Sequence, residues 1–542
     1  MANLINALKT HPALWFLIPY SGLLIFLGLG DSVLQVDEGA DTFVASTILK
    51  YGLPHHSDGI NSTMPYADIY GGLFVYRTWV PYYLQALSLG FLGATSFAAR
   101  LPFALAGMVS VAAQYFLTLK WTQKTSTAFL SAFLLASSVP ALLYFRTARY
   151  VALPVLLTLL LLFFYTQILE KKNWNPVPFT LTAILFFHTM YVESAGIIVG
   201  ILIHFLWHRE NIARENFRKV WISGIVIALF TLPWLAVIVP VFSRISEFYH
   251  STSGLIDSSA TGFFKHFAGY LFQANNYIFP FILLPFLWLK SPRNLRKYVR
   301  LLMICSVSIF TVSSLHSIPL QQYVAAALPM LYILLAITLT DCVGGGCWVR
   351  SALAACLVVT NWVHVGPLLP VKHLLSPRPE WIEKSGYLRY AHQTFMREIR
   401  FTSVYYRHLY EITHPYRGPL DGIVEFFITH RTPRATCYID NEPESLAFHT
   451  GMKLIPNEEL SDRDKPDWIV LRGDHLYLER EDPPSPVTLK LRKILHSHPY
   501  RKIRLNVPAW RINNSYDIQL HLFQSPRFAD KVVIYQLGDS PS

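Results

Sequence analysis

Long apolar stretches separated by short polar gaps make up most of the first two thirds of the chain. The hydrocarbon core of a bilayer is about 30 Å thick, so a helix that crosses it needs about 20 mainly apolar residues. A hydropathy window finds about eleven candidate spans, several of them short enough to end inside a bundle. The pattern therefore predicts a polytopic α-helical membrane protein. The candidate spans cover residues 13–30, 98–119, 125–143, 151–169, 177–190, 195–207, 221–239, 277–289, 301–314, 319–339 and 352–369.

The polar stretch after the first span, residues 31–79, contains a further helical pattern. Apolar or small residues recur at helical spacing from Ala40 to Tyr51, and Gly52 follows where a helix can end. A second segment, RTWVPYYLQALSLGFLG, begins at Arg77 and is rich in aromatic residues that favour the membrane surface. We therefore expect amphipathic helices on the outer surface of the membrane.

After about residue 370 charged residues become dense and apolar runs become short. The segments ATCYID, DWIVLRG and KVVIYQLG are typical of short buried strands, and EPESLAFHTG is typical of a helix that ends at Gly451. We predict a transmembrane domain over residues 1–370 and a soluble α/β domain over residues 371–542, a length that is usual for one domain.

Composition agrees with a membrane protein, since 52% of the residues are hydrophobic and only 15% are charged. The net charge of +12 comes largely from Lys and Arg in the gaps between apolar stretches. If the spans alternate, these basic groups share one side, which the positive-inside rule makes the cytoplasm. Residues 31–79 and everything after residue 370 then face outward. No basic face belongs to a soluble domain in the first two thirds of the chain, so we do not expect nucleic acid as a partner. The basic groups are residues 120–124, 171–172, 209–219 and 290–300.

Five cysteines are scattered through the chain, and their spacing predicts neither a disulfide framework nor a zinc site. No small-residue cleavage site closes the first apolar stretch, so we expect an uncleaved membrane span rather than a signal peptide. Since disulfides and long outer insertions are lacking, we expect a bacterial inner membrane, with the outer side facing the periplasm.

Acidic residues follow the first span directly, in the sequence QVDEGADTFVAS, which contains Asp37 and Glu38. One interpretation is that Asp37 caps the helix that begins there. The other is that a carboxylate at the outer rim of the bundle acts as a general base, or orients one, toward a substrate from the lipid phase. Both can hold together. Asp68 and Arg77 lie in the same loop, either as an ion pair or as part of one site.

Arg146 and Arg149, in the sequence YFRTARYVALP, lie at the outward end of a predicted span, against the positive-inside trend. Three residues apart, they can share one helical face or turn and bind a phosphate. The alternatives are contact with outer-leaflet headgroups and ion pairs with the acids of residues 31–79.

Further polar residues stand at predicted span ends. His316, Gln322 and Tyr323 lie where a span re-enters from outside, a place that suits a sugar or a phosphate, although a single His there is more often interfacial. His188 and Glu193 lie between two short spans, where polar side chains are costly and therefore candidates for function.

Four motifs in order resemble the GT-C glycosyltransferases that use a polyprenyl-phosphate sugar, the group that contains protein O-mannosyltransferases and the aminoarabinose lipid A transferase. They are the Asp-Glu pair with ADTFVASTILKYGLP, then YRTWVPYYLQALSLGFLGATSFAARLPFALAG, then FRTARYVALPVLLTLL, and finally QQYVAAALPMLYILLA. The likeness covers roughly residues 13–339. Two positions depart from the family: TWVP stands where Lys-Pro-Pro or Glu-Lys-Pro is common, and Gln322 stands where a basic residue often precedes the Tyr.

The resemblance implies the GT-C fold and an inverting transfer on the outer face. An acceptor hydroxyl would attack the anomeric carbon of the sugar, and polyprenyl phosphate would leave. Asp37 would be the general base, with a pKa raised by desolvation, and Arg77, Arg146 and Arg149 would stabilise the phosphate. The other implied site residues are Glu38 in catalysis, Gln322 and Tyr323 at the donor, and Asp68, His188, Glu193 and His316 at the acceptor or the sugar.

The implied partners are a polyprenyl-phosphate-linked sugar donor, membrane lipids, and an acceptor that is a lipid, a glycan or a protein. The sequence leaves open which sugar moves and whether a divalent metal takes part.

Three other functions remain open on the sequence. A transporter of a lipid-linked or small polar substrate is the main alternative, and it predicts internal duplication and charged residues deep in the spans. A receptor or structural protein with a sensory outer domain would need none of the acids and arginines named above. A polysaccharide ligase or polymerase would share the topology but would usually have a long outer loop between late spans.

Overall fold

Helices make up most of the structure, with a small β-sheet near the C-terminus. The computed structural model describes residues 11–170, 174–252, 260–316, 320–344, 346–376, 386–414, 416–430, 435–457, 459–473, 476, 478, 484–527 and 530–538. The helices of the first part are α1 (Ala13–Phe26), α2 (Val36–Tyr51), α3 (Val80–Leu92), α4 (Ser96–Thr122), α5 (Thr125–Ala136), α6 (Val139–Phe145), α7 (Ala152–Glu170), α8 (Val177–Phe187), α9 (Tyr191–Trp207), α10 (Arg214–Thr252), α11 (Ala260–Tyr277), α12 (Leu284–Lys290), α13 (Arg296–Ser313), α14 (Leu328–Ile337), α15 (Cys347–Val359), α16 (Trp362–Val365) and α17 (Leu369–Leu374).

The C-terminal part combines helices and strands. Its helices are α18 (Gly386–Glu398), α19 (Val404–Thr413), α20 (Pro419–His430), α21 (Pro443–Thr450) and α22 (Pro486–Ser497), and its strands are β1 (Thr436–Ile439), β2 (Lys453–Ile455), β3 (Trp468–Leu471), β4 (Tyr500–Pro508) and β5 (Lys531–Leu537). Short 3₁₀ helices lie at Pro65–Ala67, Arg209–Asn211, Phe281–Leu283, Gln321–Ala327 and Gly366–Leu368, and Thr338–Cys342 is π-helical.

Several helices are long and apolar enough to cross a membrane. Within the described ranges these are four, namely α4, α7, residues 214–247 of α10 and the segment Gln321–Cys342. Two more spans are added if each of two bent helix pairs counts as one span. These pairs are α5 with α6, bent by 63°, and α15 with the helical segment Trp362–Leu374, bent by 88°. Shorter apolar helices are α1, α8, α9 and Phe281–Lys290. The prediction of an integral membrane protein is confirmed, while the count of about eleven spans stays a prediction.

Helices α9 and α13 approach closely because two glycines of the sequence GIIVG face the partner helix. A Cβ atom added at Gly196 would lie 2.7 Å from Cα of Ile309, and one added at Gly200 would lie 2.6 Å from Cα of Cys305. Small residues four positions apart allow membrane helices to pack backbone against backbone in this way.

Helix α2 lies where the sequence predicts a helix in the outer loop, and Gly52 follows it with a φ of 78°, which glycine adopts without strain. Gln35 and Glu38 close its N-terminus as a capping box, in which the backbone N–H of Gln35 donates to Glu38 Oε2 at 2.9 Å. The interpretation of Asp37 as the cap is therefore wrong. Its carboxylate pairs instead with the guanidinium of Arg149, across the bundle.

Arg100, near the start of α4, holds this N-terminus in place. Its guanidinium donates to Glu38 Oε1 at 2.9 Å and to Glu38 Oε2 at 2.8 Å, and it also donates to three backbone carbonyls between α1 and α2. The backbone N–H of Ala148 donates to Glu38 Oε1 at 2.7 Å. The Arg100 and Glu38 side chains are both almost fully buried. Their ion pair therefore joins α2, α4 and the loop before α7.

The C-terminal part contains, among its described residues, a mixed five-stranded sheet with the order β2-β1-β3-β5-β4. β1 is parallel to β2 and β3, whereas β5 is antiparallel to β3 and β4. The three predicted strands are confirmed as β1, β3 and β5, and the predicted helix is confirmed as α21, with Gly451 as its end. The two edge strands are not predicted by the sequence pattern, because β2 is short and β4 is rich in charged, exposed residues. The domain boundary at residue 370 stays a prediction.

This C-terminal part packs directly on the outer loop. A Cβ atom at Gly39 would lie 1.9 Å from Ser445 Oγ, so α2 and α21 touch at a point that only glycine fits. The backbone N–H of Val33 donates to Asp421 at 3.0 Å. The Asn61 side chain donates to the Met452 carbonyl at 3.0 Å and accepts from the Leu454 N–H at 2.7 Å. The sheet therefore supports the loop that carries Asp37.

We expect Arg100→Gln to lower the free energy of unfolding by about 3–5 kcal/mol, because Glu38 would keep its charge and its burial without a counter-charge. Denaturant or thermal unfolding of the detergent-purified protein measures the change. The matched control is Arg417→Gln, which breaks an ion pair whose partners are 72% and 67% exposed. That control should cost less than about 1 kcal/mol. Equal effects for the two variants would contradict the structural role of Arg100.

Candidate active site

Two aspartates one helical turn apart project from α2 toward the bundle. Asp37 and Asp41 are four residues apart, so they lie on one side of the helix. They pair with two arginines from other parts of the chain: Arg77, before α3, and Arg149, in the loop between α6 and α7. This charge cluster therefore contains two carboxylates and two guanidinium groups, and its formal charges cancel.

Arg149 is fixed on several sides. Its side chain is only 4% exposed, its Nη1 pairs with Asp37 Oδ2, and its Nε lies 3.1 Å from Asp41 Oδ2. The guanidinium also lies over the rings of Tyr150 and Tyr516, at 5.2 Å from each ring centroid. A cation held in this way is poorly screened by water, so its field acts strongly on nearby anions.

Arg77 completes the cluster from the side of the outer loop. Its Nη1 donates to Asp41 Oδ1, and its Nη2 lies 3.5 Å from Asp37 Oδ1. The hydroxyl of Tyr82 donates to Asp41 Oδ1 at 3.0 Å. Asp41 is thus enclosed, with a side chain only 5% exposed, whereas 35% of the Asp37 side chain is exposed. Of the two carboxylates, Asp37 is the one that a substrate can reach.

The pKa of Asp37 differs from the sequence-based expectation. Burial raises it, but the charges of Arg149 and Arg77 and the hydrogen bond from Tyr516 outweigh burial and lower the pKa to about 2. The expectation of a pKa raised by desolvation is therefore wrong while these partners are in place. Asp37 is ionised at neutral pH and, while paired with Arg149, is a weak base.

Tyr516 reaches the cluster from the segment between β4 and β5. Its hydroxyl donates to Asp37 Oδ2 at 2.6 Å and accepts from Arg149 Nη1. Neither Tyr516 nor Asp41 is among the site residues predicted from the sequence. The position of Asp41 one turn after Asp37 could have revealed it, whereas no local signal marks Tyr516, which lies 479 positions away from Asp37.

The side chains of Arg146 and Arg149 lie in different places, although the sequence predicted that they act as a pair. Arg146 Nη1 donates to the carbonyls of Leu24, Ile25 and Leu27, at 3.1, 2.9 and 2.8 Å. These are the free carbonyls at the end of α1, where a cation is favourable. The two arginines therefore do not converge, and Arg149 forms the ion pairs with acids of residues 31–79 that the sequence left as an alternative. Phosphate binding by either arginine stays a prediction.

Glu38 and Asp68 also have other contacts than the sequence suggested. Both oxygens of Glu38 accept hydrogen bonds from Arg100 and from backbone N–H groups, so no part of it is directed at the charge cluster. Asp68 accepts from the backbone N–H groups of Tyr70 and Gly72, at 3.2 and 2.9 Å. It closes a turn, and the expected ion pair with Arg77 is wrong, because Arg77 pairs with Asp41.

The predicted re-entry segment lies beside the cluster. Tyr323 is within electrostatic range of Arg77, Arg149 and Asp37, and its ring centroid lies 4.2 Å from that of His316. Gln322 is buried, and its backbone N–H donates to Asp517 at 3.3 Å. Tyr323 is therefore near the candidate site, and the ring of His316 packs against the ring of Tyr323.

His188 and Glu193 have local contacts. His188 Nε2 lies 3.1 Å from the carbonyl of Phe230, and its ring contacts Trp234. Glu193 is fully buried and accepts from the backbone N–H of Ala326 at 2.7 Å. Neither residue contacts Asp37 or Arg149 in the hydrogen bonds of the described chain. Across the described ranges, no three His, Cys, Asp or Glu side chains lie together as a metal site would require.

Part of the sequence matches a known family. Residues 77–236 match a family model described as dolichyl-phosphate-mannose-protein mannosyltransferase. This range contains Arg77 and Arg149 but not Asp37 or Tyr516. Among curated proteins, none matches the sequence.

The fold resembles that of ArnT from Cupriavidus metallidurans. ArnT in the apo state has a TM-score of 0.52 at 14% sequence identity, over 85% of this chain and 93% of that chain. ArnT bound to undecaprenyl phosphate has a TM-score of 0.55 at 15% identity, over 96% of this chain and 97% of that chain. At these identities the likeness concerns the fold. The chain therefore shares the fold of these ArnT structures.

Proposed function

We propose that this protein is an integral-membrane glycosyltransferase that moves a sugar from a polyprenyl-phosphate donor to an acceptor hydroxyl. One observation carries the proposal: Asp37, which is partly exposed, pairs with Arg149, which is buried. Such a transfer needs one group that accepts a proton and another that stabilises the phosphate, and these two side chains provide both.

The comparisons support a transferase over a transporter. The matched family model is named for a mannosyltransferase that uses dolichyl phosphate mannose, and one similar ArnT structure holds undecaprenyl phosphate. Both names describe proteins that handle a polyprenyl phosphate. We therefore extend this ligand class to the present chain and leave the sugar and the acceptor open.

In the proposed reaction the acceptor oxygen forms a bond to the anomeric carbon, and the bond from that carbon to the phosphate oxygen breaks. The electron pair of the broken bond leaves with polyprenyl phosphate, and the proton of the acceptor hydroxyl moves to Asp37. Arg149 and Arg77 stabilise the charge that develops on the phosphate. Glu38 acts through structure, since it fixes the start of α2.

The low pKa of Asp37 fits this reaction if the phosphate competes for Arg149. Before the donor binds, the guanidinium groups neutralise Asp37 and Asp41. A bound phosphate brings new negative charge and shares the same cations. The field that lowers the pKa of Asp37 is then weakened, so its pKa rises and it becomes a stronger base when the donor is in place.

We place this site on the outer side of the membrane. The cluster lies near the N-terminus of α4, where Arg100 anchors α2, whereas Lys120 is near the C-terminus of this 27-residue helix. A helix of that length spans about 40 Å. Lys120 pairs with Glu170, and Lys124 pairs with Asp341, so basic loops gather at the far end. The positive-inside rule assigns that end to the cytoplasm.

We expect Asp37→Asn to reduce sugar transfer at least about 100-fold, the usual contribution of a general base. Undecaprenyl phosphate should still bind, because both arginines remain. Transfer from a panel of undecaprenyl-phosphate sugars in proteoliposomes, with binding measured by native mass spectrometry, gives both readouts. Asp68→Asn is the matched control and should retain activity, since an amide oxygen can still accept from Tyr70 and Gly72. Wild-type transfer by Asp37→Asn would remove this residue as the base.

We expect Arg149→Gln to weaken donor use about 10-fold to 100-fold, the effect of losing a hydrogen bond to a charged group. The KM for the donor should rise more than the KM for the acceptor. Arg146→Gln is the control, because Arg146 binds backbone carbonyls of α1 and should change stability rather than the donor KM. If both variants raise the donor KM equally, the assignment of donor binding to Arg149 and of a structural role to Arg146 fails.

A further inference from the structure

The segment that carries Tyr516 is a compact loop of the C-terminal part, which we call the site loop (residues 513–522). Asn514 closes it: its Oδ1 accepts from the Leu522 N–H at 2.9 Å, and its Nδ2 donates to the Leu522 carbonyl at 3.0 Å. A loop whose ends are tied together in this way behaves as one packed unit. The C-terminal part thus inserts a preformed unit toward the bundle.

The hydroxyl of Tyr516 contacts Asp37 as a substrate hydroxyl would. It donates to Asp37 Oδ2 at 2.6 Å, a distance at which a general base accepts a proton. Arg149 pairs with the same carboxylate oxygen. With Tyr516 in place, Oδ2 has two partners, and an incoming hydroxyl would need to displace one of them.

Tyr516 cannot itself serve as a ready nucleophile in this arrangement. Burial raises the pKa of its hydroxyl well above the ordinary value, so the proton remains on the oxygen. Its ring also lies over the guanidinium of Arg149, at 5.2 Å from the centroid. The side chain therefore covers the base and the buried cation together.

Asp517, the next residue, opposes an incoming phosphate. It is buried, and it accepts from the hydroxyl of Tyr144 at 3.2 Å and from the backbone N–H of Gln322 at 3.3 Å. Burial raises the pKa of Asp517 to about 6, so it is still mainly negative at neutral pH. A negative group within range of Arg149 and Asp37 disfavours a second anion there.

The site loop is held from outside the cluster as well. The Asn513 backbone N–H donates to Glu442 of the C-terminal part, at 3.0 Å. His521 Nε2 lies 3.0 Å from both oxygens of Glu411, on α19. These contacts lie at the ends of the loop, whereas Tyr516 and Asp517, between them, enter the bundle. The loop is therefore held at both ends by the C-terminal part, and its tip meets the bundle through side-chain contacts.

We propose that Tyr516 is a pseudo-acceptor: its hydroxyl occupies the acceptor-hydroxyl subsite on Asp37, as in this structure, and the site loop leaves this subsite when donor and acceptor bind. The inference rests on the proposed function, because it needs Asp37 as the base and Arg149 as a phosphate contact. It gives the C-terminal part a role: the Tyr516 hydroxyl occupies the carboxylate oxygen Oδ2 of Asp37 until a polyprenyl phosphate binds Arg149.

Three measurements on the full-length protein in nanodiscs test this. Hydrogen exchange of residues 513–522 should become faster when undecaprenyl phosphate is added, since the phosphate displaces the loop. Tyr516→Phe should raise the hydrolysis of an undecaprenyl-phosphate sugar, with water as acceptor, about tenfold, the factor that corresponds to one charge-assisted hydrogen bond. Asp517→Asn should bind undecaprenyl phosphate more tightly than the wild type. Tyr500→Phe, which alters a hydroxyl bound to the Pro466 carbonyl in the sheet, is the matched control and should change none of these.

Other results would overturn the inference in distinct ways. If undecaprenyl phosphate binds but the site loop keeps its protection, the loop is a fixed wall of the site. If Tyr516→Phe loses hydrolysis and transfer as Asp37→Asn does, Tyr516 positions the base rather than blocking it. If the wild type does not bind undecaprenyl phosphate at all, the proposed function fails, and the role of Tyr516 as a pseudo-acceptor fails for the same reason.

Discussion

The pairing of Asp37 and Asp41 with Arg77 and Arg149 is the constraint on which the rest of the site depends. A buried guanidinium without a counter-charge would cost several kcal/mol, so Arg149 can enter the bundle only where acids meet it. The partners come from three separate segments: α2, the loop before α3, and the loop between α6 and α7. Neutralising these charges therefore brings the outer loop and the bundle together at one place.

Neighbouring acids on α2 have different roles because a helix turns by about 100° per residue. Glu38 faces Arg100 and is enclosed, whereas Asp37 faces Arg149 and keeps a third of its side chain exposed. The first arrangement favours a permanent ion pair, and the second leaves an anion that a ligand can reach. The two acids of one Asp-Glu pair thus differ in their burial and in their partners.

Pairing with the two arginines also explains why Asp37 is a weak base in this structure. The arginines lower the pKa of Asp37, and the hydroxyl of Tyr516 donates a hydrogen bond to one of its carboxylate oxygens. A donor phosphate would change both conditions, because it shares Arg149 and opposes Asp517. In the proposed mechanism the base therefore becomes effective only when the charge of the donor is present, and hydrolysis of the activated sugar is limited.

The sequence by itself determined the membrane class, the outer-loop helix α2 and the buried strands β1, β3 and β5, since each depends on a local period of apolar residues. It also indicated Asp37 and Arg149 as candidate site residues, because a charge at the end of an apolar span is costly unless it has a partner or a function. Only the tertiary structure decided that Arg146 turns to the end of α1, that Arg100 holds Glu38 and that Tyr516 meets Asp37. Local patterns report which face of an element is apolar. The partner that a charge finds across hundreds of residues depends on how the elements pack.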